Sequence, residues 1–330
     1  MLKLEKINNR NLLHIEPLQK QHIPEMKVLW NMQYDRMVGN YGFLPHKWLD
    51  DTTIFSHFIE QHIDGRNSIV VMLQEKVVGF LTYDMFDFHN EKTAFFPIMA
   101  HAADGSYKLS VYSMMYAYIS QKLVEKGCIN HLFTFFSLDQ ALQDYLFELG
   151  FGLYVVDAYR DLNNIAIAVK DDIVVRKARV SDIDELFGLV KESDRYYAEP
   201  PLFLKRESEE KDQIVELITS NDSEVFLAVR NDEIIGFMNI RCNQTDEVIT
   251  LSDTTTACID PLGAYIKREC RGLGVGKKLL YELIAWSGQQ DVTNIHVDFE
   301  SANYHANQFW LNYFTPVLYS VKRRLNNDVI

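Results

Sequence analysis

The chain has 330 residues, 46 Asp and Glu against 33 Lys and Arg, and a formal net charge of −13; the length suggests about two domains. The acidity argues against nucleic acid as a main partner and is compatible with a cationic or amine substrate, and no apolar run reaches membrane-spanning length. Met1 to Lys6 lacks the apolar core of a signal peptide, and Cys128, Cys242, Cys258 and Cys270 have neither metal-ligand nor CxxC spacing, so a cytoplasmic protein with reduced thiols and no metal is expected.

Leu13 to Ile15 reads as a short strand and Gln19 to Met32 as a helix. A polar and aromatic stretch from Tyr34 to Trp48 precedes a second helix, Asp51 to Ile63. Ser68 to Leu73 and Val77 to Tyr83, joined by the charged turn Gln74-Glu75-Lys76, read as a β-hairpin. Thr93 to Met99 is expected as a strand, Leu109 to Lys126 as a long helix stopped by Gly127, and His131 to Phe135 as a strand. Leu138 to Leu149 reads as a helix closed by Gly150-Phe151. Leu153 to Tyr159 is the next strand, and Ile165 to Val169 reads as one more.

The same order then begins again. Asp171 to Arg179 carries a first strand, and Val180-Ser181-Asp182 a helix start. Residues 187 to 222 hold Asp194, Tyr196, Tyr197, Glu199 and Phe203. They read either as an aromatic loop packed on the other half or as a wall whose acids and rings hold an ammonium. Val225 to Val229 and Ile234 to Met238 form a second hairpin, turning at Arg230 to Glu233. Both hairpins have an apolar strand, a charged turn, two β-branched residues, then Gly-Phe. Two such copies half a chain apart indicate an internal duplication of a mixed α/β unit, divided between Asn164 and Ile165.

Gly263-Ala264-Tyr265-Ile266 reads as a strand end, Arg271-Gly272-Leu273-Gly274-Val275-Gly276 as a glycine-rich turn, and Lys277 to Trp286 as a helix with one apolar face. A strand, a curled turn and a helix N-terminus point backbone amides and the positive end of a helix dipole at an anion. A Walker loop requires Ser or Thr after Gly276-Lys277, where Lys278 stands. A dinucleotide fingerprint requires G-x-G-x-x-G, and the glycines here are spaced G-x-G-x-G. An acetyl-CoA pyrophosphate loop, R/Q-x-x-G-x-G/A, fits Arg271, Gly274 and Gly276 without adjustment. An ordinary strand-to-helix turn is the remaining reading.

The turn resembles the acetyl-CoA loop of the GNAT acetyltransferases. Asn303 to Trp310, after a strand expected at Ile295 to Phe299, resembles that family's N-x-x-A-x-x-F-Y motif, and the hairpin around Gly236 its central hairpin. The resemblance covers residues 173 to 330. It implies two tandem GNAT-like domains in an arrangement similar to that of mycothiol synthase, each a central, mostly antiparallel sheet flanked by helices. In the first copy, His101 to Tyr107 stands where the loop belongs, with Gly105 alone and Asp104 set to repel a pyrophosphate. That copy is expected to be degenerate, serving a structural role or walling the substrate cleft.

The resemblance further implies acetyl-CoA as cosubstrate and a small-molecule or peptide amine as acceptor, in a monomer or homodimer. Ala264, Tyr265 and Ile266 would pair with the pantetheine arm, and a backbone amide at a splayed or bulged strand would polarise the thioester. The amides of Arg271, Gly272, Leu273, Gly274, Val275, Gly276 and Lys277 would hold the pyrophosphate. Asn303 would bond the pantetheine or cap its helix. An acceptor ammonium must lose a proton before attack, and Asp260, Asp298 and Glu300 are candidate bases, ahead of Asp253. His296 on the same strand reads as structural. Trp310 occupies the position of the family's thiolate-protonating tyrosine, so Tyr313, Tyr304 or Tyr319 would substitute, or the thiolate leaves unassisted. That departure keeps a second reading open, an acyl-CoA-binding sensor with little catalysis.

Overall fold

The computed structural model describes residues 13–63, 67–88, 90–166, 172–206 and 209–325. They form two compact units. The first takes the described residues up to Val156, with Val248–Leu251 and those from Pro316 on; the second takes Asp157–Glu247 and Ser252–Thr315. No helix among the described residues is long and apolar enough to cross a membrane.

In the first unit β1 (Leu13–Pro17), β2 (Ser68–Leu73), β3 (Lys76–Thr82) and β6 (His101–Ala103) form a four-stranded sheet in the order β1-β2-β3-β6. A second group of strands runs β4 (Asp84–Phe88), β5 (Glu91–Phe96), β7 (Asn130–Phe136), β15 (Thr315–Arg324) and the start of β8 (Gly152–Asp161). The helices α1 (Ile23–Asn40), α2 (Lys47–Asp50), α3 (Thr52–Ile63), α4 (Lys108–Glu125) and α5 (Gln140–Glu148) complete the unit. The pattern explains their docking: on α4, Val111, Tyr112, Met115, Tyr116, Ile119 and Leu123 recur at helical spacing and are all buried in the core.

In the second unit the strand order is the end of β8, then β14 (Asn294–Glu300), β12 (Thr256–Cys258), β11 (Glu233–Cys242), β10 (Ser223–Arg230) and β9 (Val174–Lys177). β13 (Ala264–Ile266) also pairs with β11. One core joins Leu186, Leu189 and Val190 of α6 (Ile183–Ala198) and Ile214 of α7 (Lys211–Thr219) to Val225, Leu227, Ile234 and Phe237 of the hairpin. The remaining helices are α8 (Val275–Ser287) and α9 (Tyr304–Trp310).

The repeat seen in the sequence recurs in geometry. β2 and β3 align Val71 with Gly79, with a bulge after Val71; β10 and β11 align Ala228 with Gly236, with a bulge after Ala228. The amide of Val77 donates to a Glu25 carboxylate oxygen at 2.8 Å, and the amide of Ile234 to a Glu185 oxygen at 2.8 Å. Asp139 and Asn303 each cap their helix by accepting the amide three residues on, from Leu142 and Ala306. Gly79 aligns with Ala103 of β6 as Gly236 aligns with Ile266 of β13. A Cβ on Gly236 would stand 2.8 Å from the Tyr265 carbonyl oxygen, and one on Gly79 would stand 2.2 Å from Val111 Cγ1. Close approach, of the β13 backbone at Gly236 and of a Val111 methyl at Gly79, therefore requires both glycines.

Several expectations are corrected. The strand at Thr93 to Met99 stops at Phe96, and a 3-10 turn occupies Ile98–Ala100. Asp84–Phe88 is an additional strand; its apolar residues, Met85, Phe86 and Phe88, do not alternate strictly with polar ones, and none of its residues is fully buried. Residues 187 to 222 are mostly helical, in α6 and α7, because their apolar residues fall at helical spacing. Ile165 and Ala166 are not in a strand, and Ile167 to Val169 lie outside the described residues. From Pro316 on, β15 belongs with the first unit and is paired to β7 from Leu318 to Arg324.

Candidate active site

The site begins with a strand that parts from its neighbour. β12 pairs in parallel with β14, Thr256 to Cys258 against Asn294 to His296, and Ile259 still donates to the His296 carbonyl at 3.0 Å. Residues 260–263 then bulge away, and β13 continues along β11 without returning to β14. Asn239, fully buried on β11, stitches the bulge. Its amide nitrogen donates to the Asp260 carbonyl at 2.5 Å, and its side-chain oxygen accepts the Gly263 amide at 2.9 Å. Its backbone amide donates to the Gly263 carbonyl at 3.0 Å. Gly263 has φ +66°, a left-handed conformation suited to glycine. The sequence reading missed Asn239; a buried Asn inside an apolar strand was its only signal.

Between β13 and β14 lies a cavity of about 480 Å³, and every residue lining it belongs to the second unit. Antiparallel pairing directs the amides of alternate residues to the same side. Lys267 donates to Ile235 and Asn239 donates to Gly263, so residues 263, 265 and 267 face β11. The main-chain groups of Ala264 and Ile266 therefore face the opening.

One end of the cavity is walled by the glycine-rich turn and the start of α8. Gly272 has φ +76° and Gly274 φ +83°, and Gly274 is the N-cap of α8. The first helical amides have no partner within a helix, and here they sit on the cavity wall with Arg271, Gly272, Gly274, Val275, Gly276 and Lys277. Leu273, expected in the loop, is not among the lining residues. Gly276 has a packing reason as well: a Cβ there would lie 3.0 Å from Phe309 and 3.1 Å from Ile266. The Arg271 side chain folds back. Its Nε donates to the Ile266 carbonyl at 3.1 Å, and its guanidinium lies 4.7 Å from the Tyr196 ring centre.

The other end is acidic, and its three carboxylates differ in what engages them. Asp260 is held by Arg241 through both oxygens, at 2.5 and 3.0 Å. Glu300 is hydrogen-bonded by the Tyr197 hydroxyl, whose pKa burial pushes up, with the Glu300 charge adding to the rise. Asp298 has no such engagement among the described residues. Asp298 is exposed, with its side chain opening onto the cavity. Partial loss of solvent beside the cavity wall raises its pKa to about 6, helped by the charges of Asp157, Glu300 and Asp260 and opposed by His296. The open side tempers the size of this effect, not its sign.

Asn303 caps α9 and accepts the Tyr196 hydroxyl at 3.0 Å. Trp310 and Tyr313 both line the cavity, and the Tyr313 ring stands 5.2 Å from Phe309. Tyr304 is exposed and bonded to Gln308, and Tyr319 lies on β15 with the first unit. Asp253 is buried, accepting from Thr255 and Thr256. These three lie off the cavity wall.

The corresponding place in the first unit is filled. His101 aligns with Leu81 as Ala264 aligns with Met238. The buried His101 ring bonds the Thr134 carbonyl and the Tyr112 hydroxyl, each at 2.8 Å. Lys108, at the start of α4, bonds Asp139 at 2.6 Å. The buried His101 ring thus stands where Ala264 lines the cavity of the second unit.

Residues 187–313 match the family model of the acetyltransferase (GNAT) family. No curated protein matches the chain. Among solved structures it is similar to a GCN5-related N-acetyltransferase from Sphaerobacter thermophilus, at 9% identity and TM-score 0.54, covering 95% of this chain and 96% of that one. A GCN5-related N-acetyltransferase from Kribbella flavida is 12% identical with TM-score 0.40, over 94% and 71% of the chains. At such identities the first likeness shows the fold.

Proposed function

We propose that this chain, which carries a GNAT acetyltransferase domain, is an N-acetyltransferase that moves an acetyl group directly from acetyl-CoA to an amine of a small molecule or peptide. The observation carrying this reading is one cavity with an anion cradle at one end, unpaired strand amides along its side and an unengaged carboxylate at the other end. The amides from Arg271 to Lys277 hold the pyrophosphate. The main chain of Ala264 and Ile266 pairs with the pantetheine arm and polarises the thioester.

Asp298 takes a proton from the acceptor ammonium; a base near pKa 6 suits that task at neutral pH. The freed lone pair attacks the thioester carbon, the C–S bond breaks, the attacking nitrogen gives up its remaining extra proton to solvent, and the CoA thiolate takes a proton from solvent or from Tyr313, which solvent then reprotonates. Glu300 adds negative charge that favours a cationic acceptor. A sensor that binds acyl-CoA with little turnover remains the second reading, favoured by Trp310 at the family's tyrosine position.

Calorimetric titration with acetyl-CoA tests the assignment. The native chain is expected to bind one equivalent, because the first unit's cleft is filled. Gly274→Glu, which sets a side chain and a negative charge in the cradle, is expected to abolish binding; Gly274→Asn, which tolerates positive φ, keeps the turn and weakens binding. A folded native chain that binds none sinks the assignment, and two equivalents would overturn the reading of the first unit. Turnover with a panel of primary amines then separates the enzyme from the sensor.

A further inference from the structure

Beside the cavity, three strands of the second unit bring together a buried polar group that the proposed chemistry does not use. His296 on β14 and Asp157 on β8 are 4% and 6% exposed, and His296 Nε2 lies 3.0 Å from Asp157 Oδ1. Cys258 on β12 is the register partner of His296 and also bonds it. The Tyr159 ring covers the imidazole at 4.8 Å. Residues two apart on a strand share a face, so His296 and Asp298 point to the same side of β14. Burial alone would strip the imidazole of its proton, but the bonds to Asp157 and Cys258 override it and raise its pKa well above the ordinary value.

We propose that His296, locked by Asp157, acts on the acceptor end through Asp298: from the same face of β14 it supplies the positive charge beside which Asp298 gains and loses its proton. The inference rests on the reading of Asp298 as base. The groups facing the imidazole are Asp157 and Tyr159 from β8, Cys258 from β12, and Asp298 from its own strand. Asp260 and Glu300 bear on the same carboxylate, and Arg241 already neutralises Asp260. Without an imidazolium, Asp298 would face Asp157 and Glu300 with no compensating charge. Asp157 precedes the second copy in the chain, so the first copy's last strand provides the lock.

The test reads carboxyl protonation directly, without acetyl-CoA or an acceptor. Chain labelled with 13C at the aspartate carboxyls is titrated by NMR, with Asp298→Asn assigning the resonance. In His296→Gln the Asp298 midpoint is expected to rise by about one pH unit; a folded variant with an unmoved midpoint overturns the proposal. The native chain gives an independent reading if that variant fails to fold. The 15N shifts of His296 should report an imidazolium throughout pH 5 to 8, and a neutral ring in that range overturns the proposal. Asp157→Asn is expected to remove that proton. Failure to bind acetyl-CoA would sink the proposed function while leaving these midpoints readable.

Discussion

Asp260, Asp298 and Glu300 line one wall and were equivalent candidates in the sequence, because three acids near strand ends look alike. Their partners separate them. Turnover is expected to rise through about pH 6 on its acid side, following Asp298 ionisation, and Asp298→Asn to lower it by about 10²- to 10⁴-fold. A comparable loss in Asp260→Asn alone would reassign the base. Stability carries the same signature with a defined sign. The folded-state pKa is raised, so the native chain binds more protons than the unfolded chain between the ordinary carboxylate range and about pH 6. That contribution is present at low pH and lost as pH climbs through this window. Subtracting the Asp298→Asn melting curve from the native one should reveal it. Gly276→Ala forces a methyl against Phe309 and Ile266 and is expected to cost about 1–3 kcal/mol; an unchanged Tm would mean that Phe309 gives way.

At the level of elements, each hairpin is tied to its helix by one carboxylate, Glu25 on α1 to Val77 and Glu185 on α6 to Ile234. Glu25→Ala and Glu185→Ala are each expected to cost about 1–3 kcal/mol by leaving an amide unsatisfied. As they lie in separate units, their effects should add within about 0.5 kcal/mol, and denaturant unfolding of the single and double variants measures this. The hairpins, the long helices and the glycine-rich turn were legible in the sequence because each carries its own periodicity or turn chemistry. The break between β3 and β4 was not. β4 has no fully buried residue, and Asp84 to Phe88 show no strict alternation of apolar and polar positions.

For the whole molecule, the division into units does not follow the division of the sequence into copies. The second unit includes Asp157 to Asp161, and the first includes the described chain from Pro316 on. A fragment of residues 165–330 would lack Asp157, leaving the buried His296 without its counter-charge. Breaking such a pair costs about 3–5 kcal/mol, a large part of a typical domain's stability of 5–15 kcal/mol. The fragment is expected to show poor NMR dispersion and no acetyl-CoA binding, whereas a well-folded, binding fragment would show the lock to be dispensable.

The sequence by itself determined the repeated hairpin, the mixed α/β class, the glycine-rich turn and the set of acids near it, since local spacing and turn chemistry encode all of these. Only the tertiary structure decided which acid stays unengaged, that Asn239 holds the bulge open, that His101 fills the first cleft, and that Asp157 meets His296. Each of those depends on groups far apart in the chain being brought within hydrogen-bonding distance, and no local pattern records such a meeting.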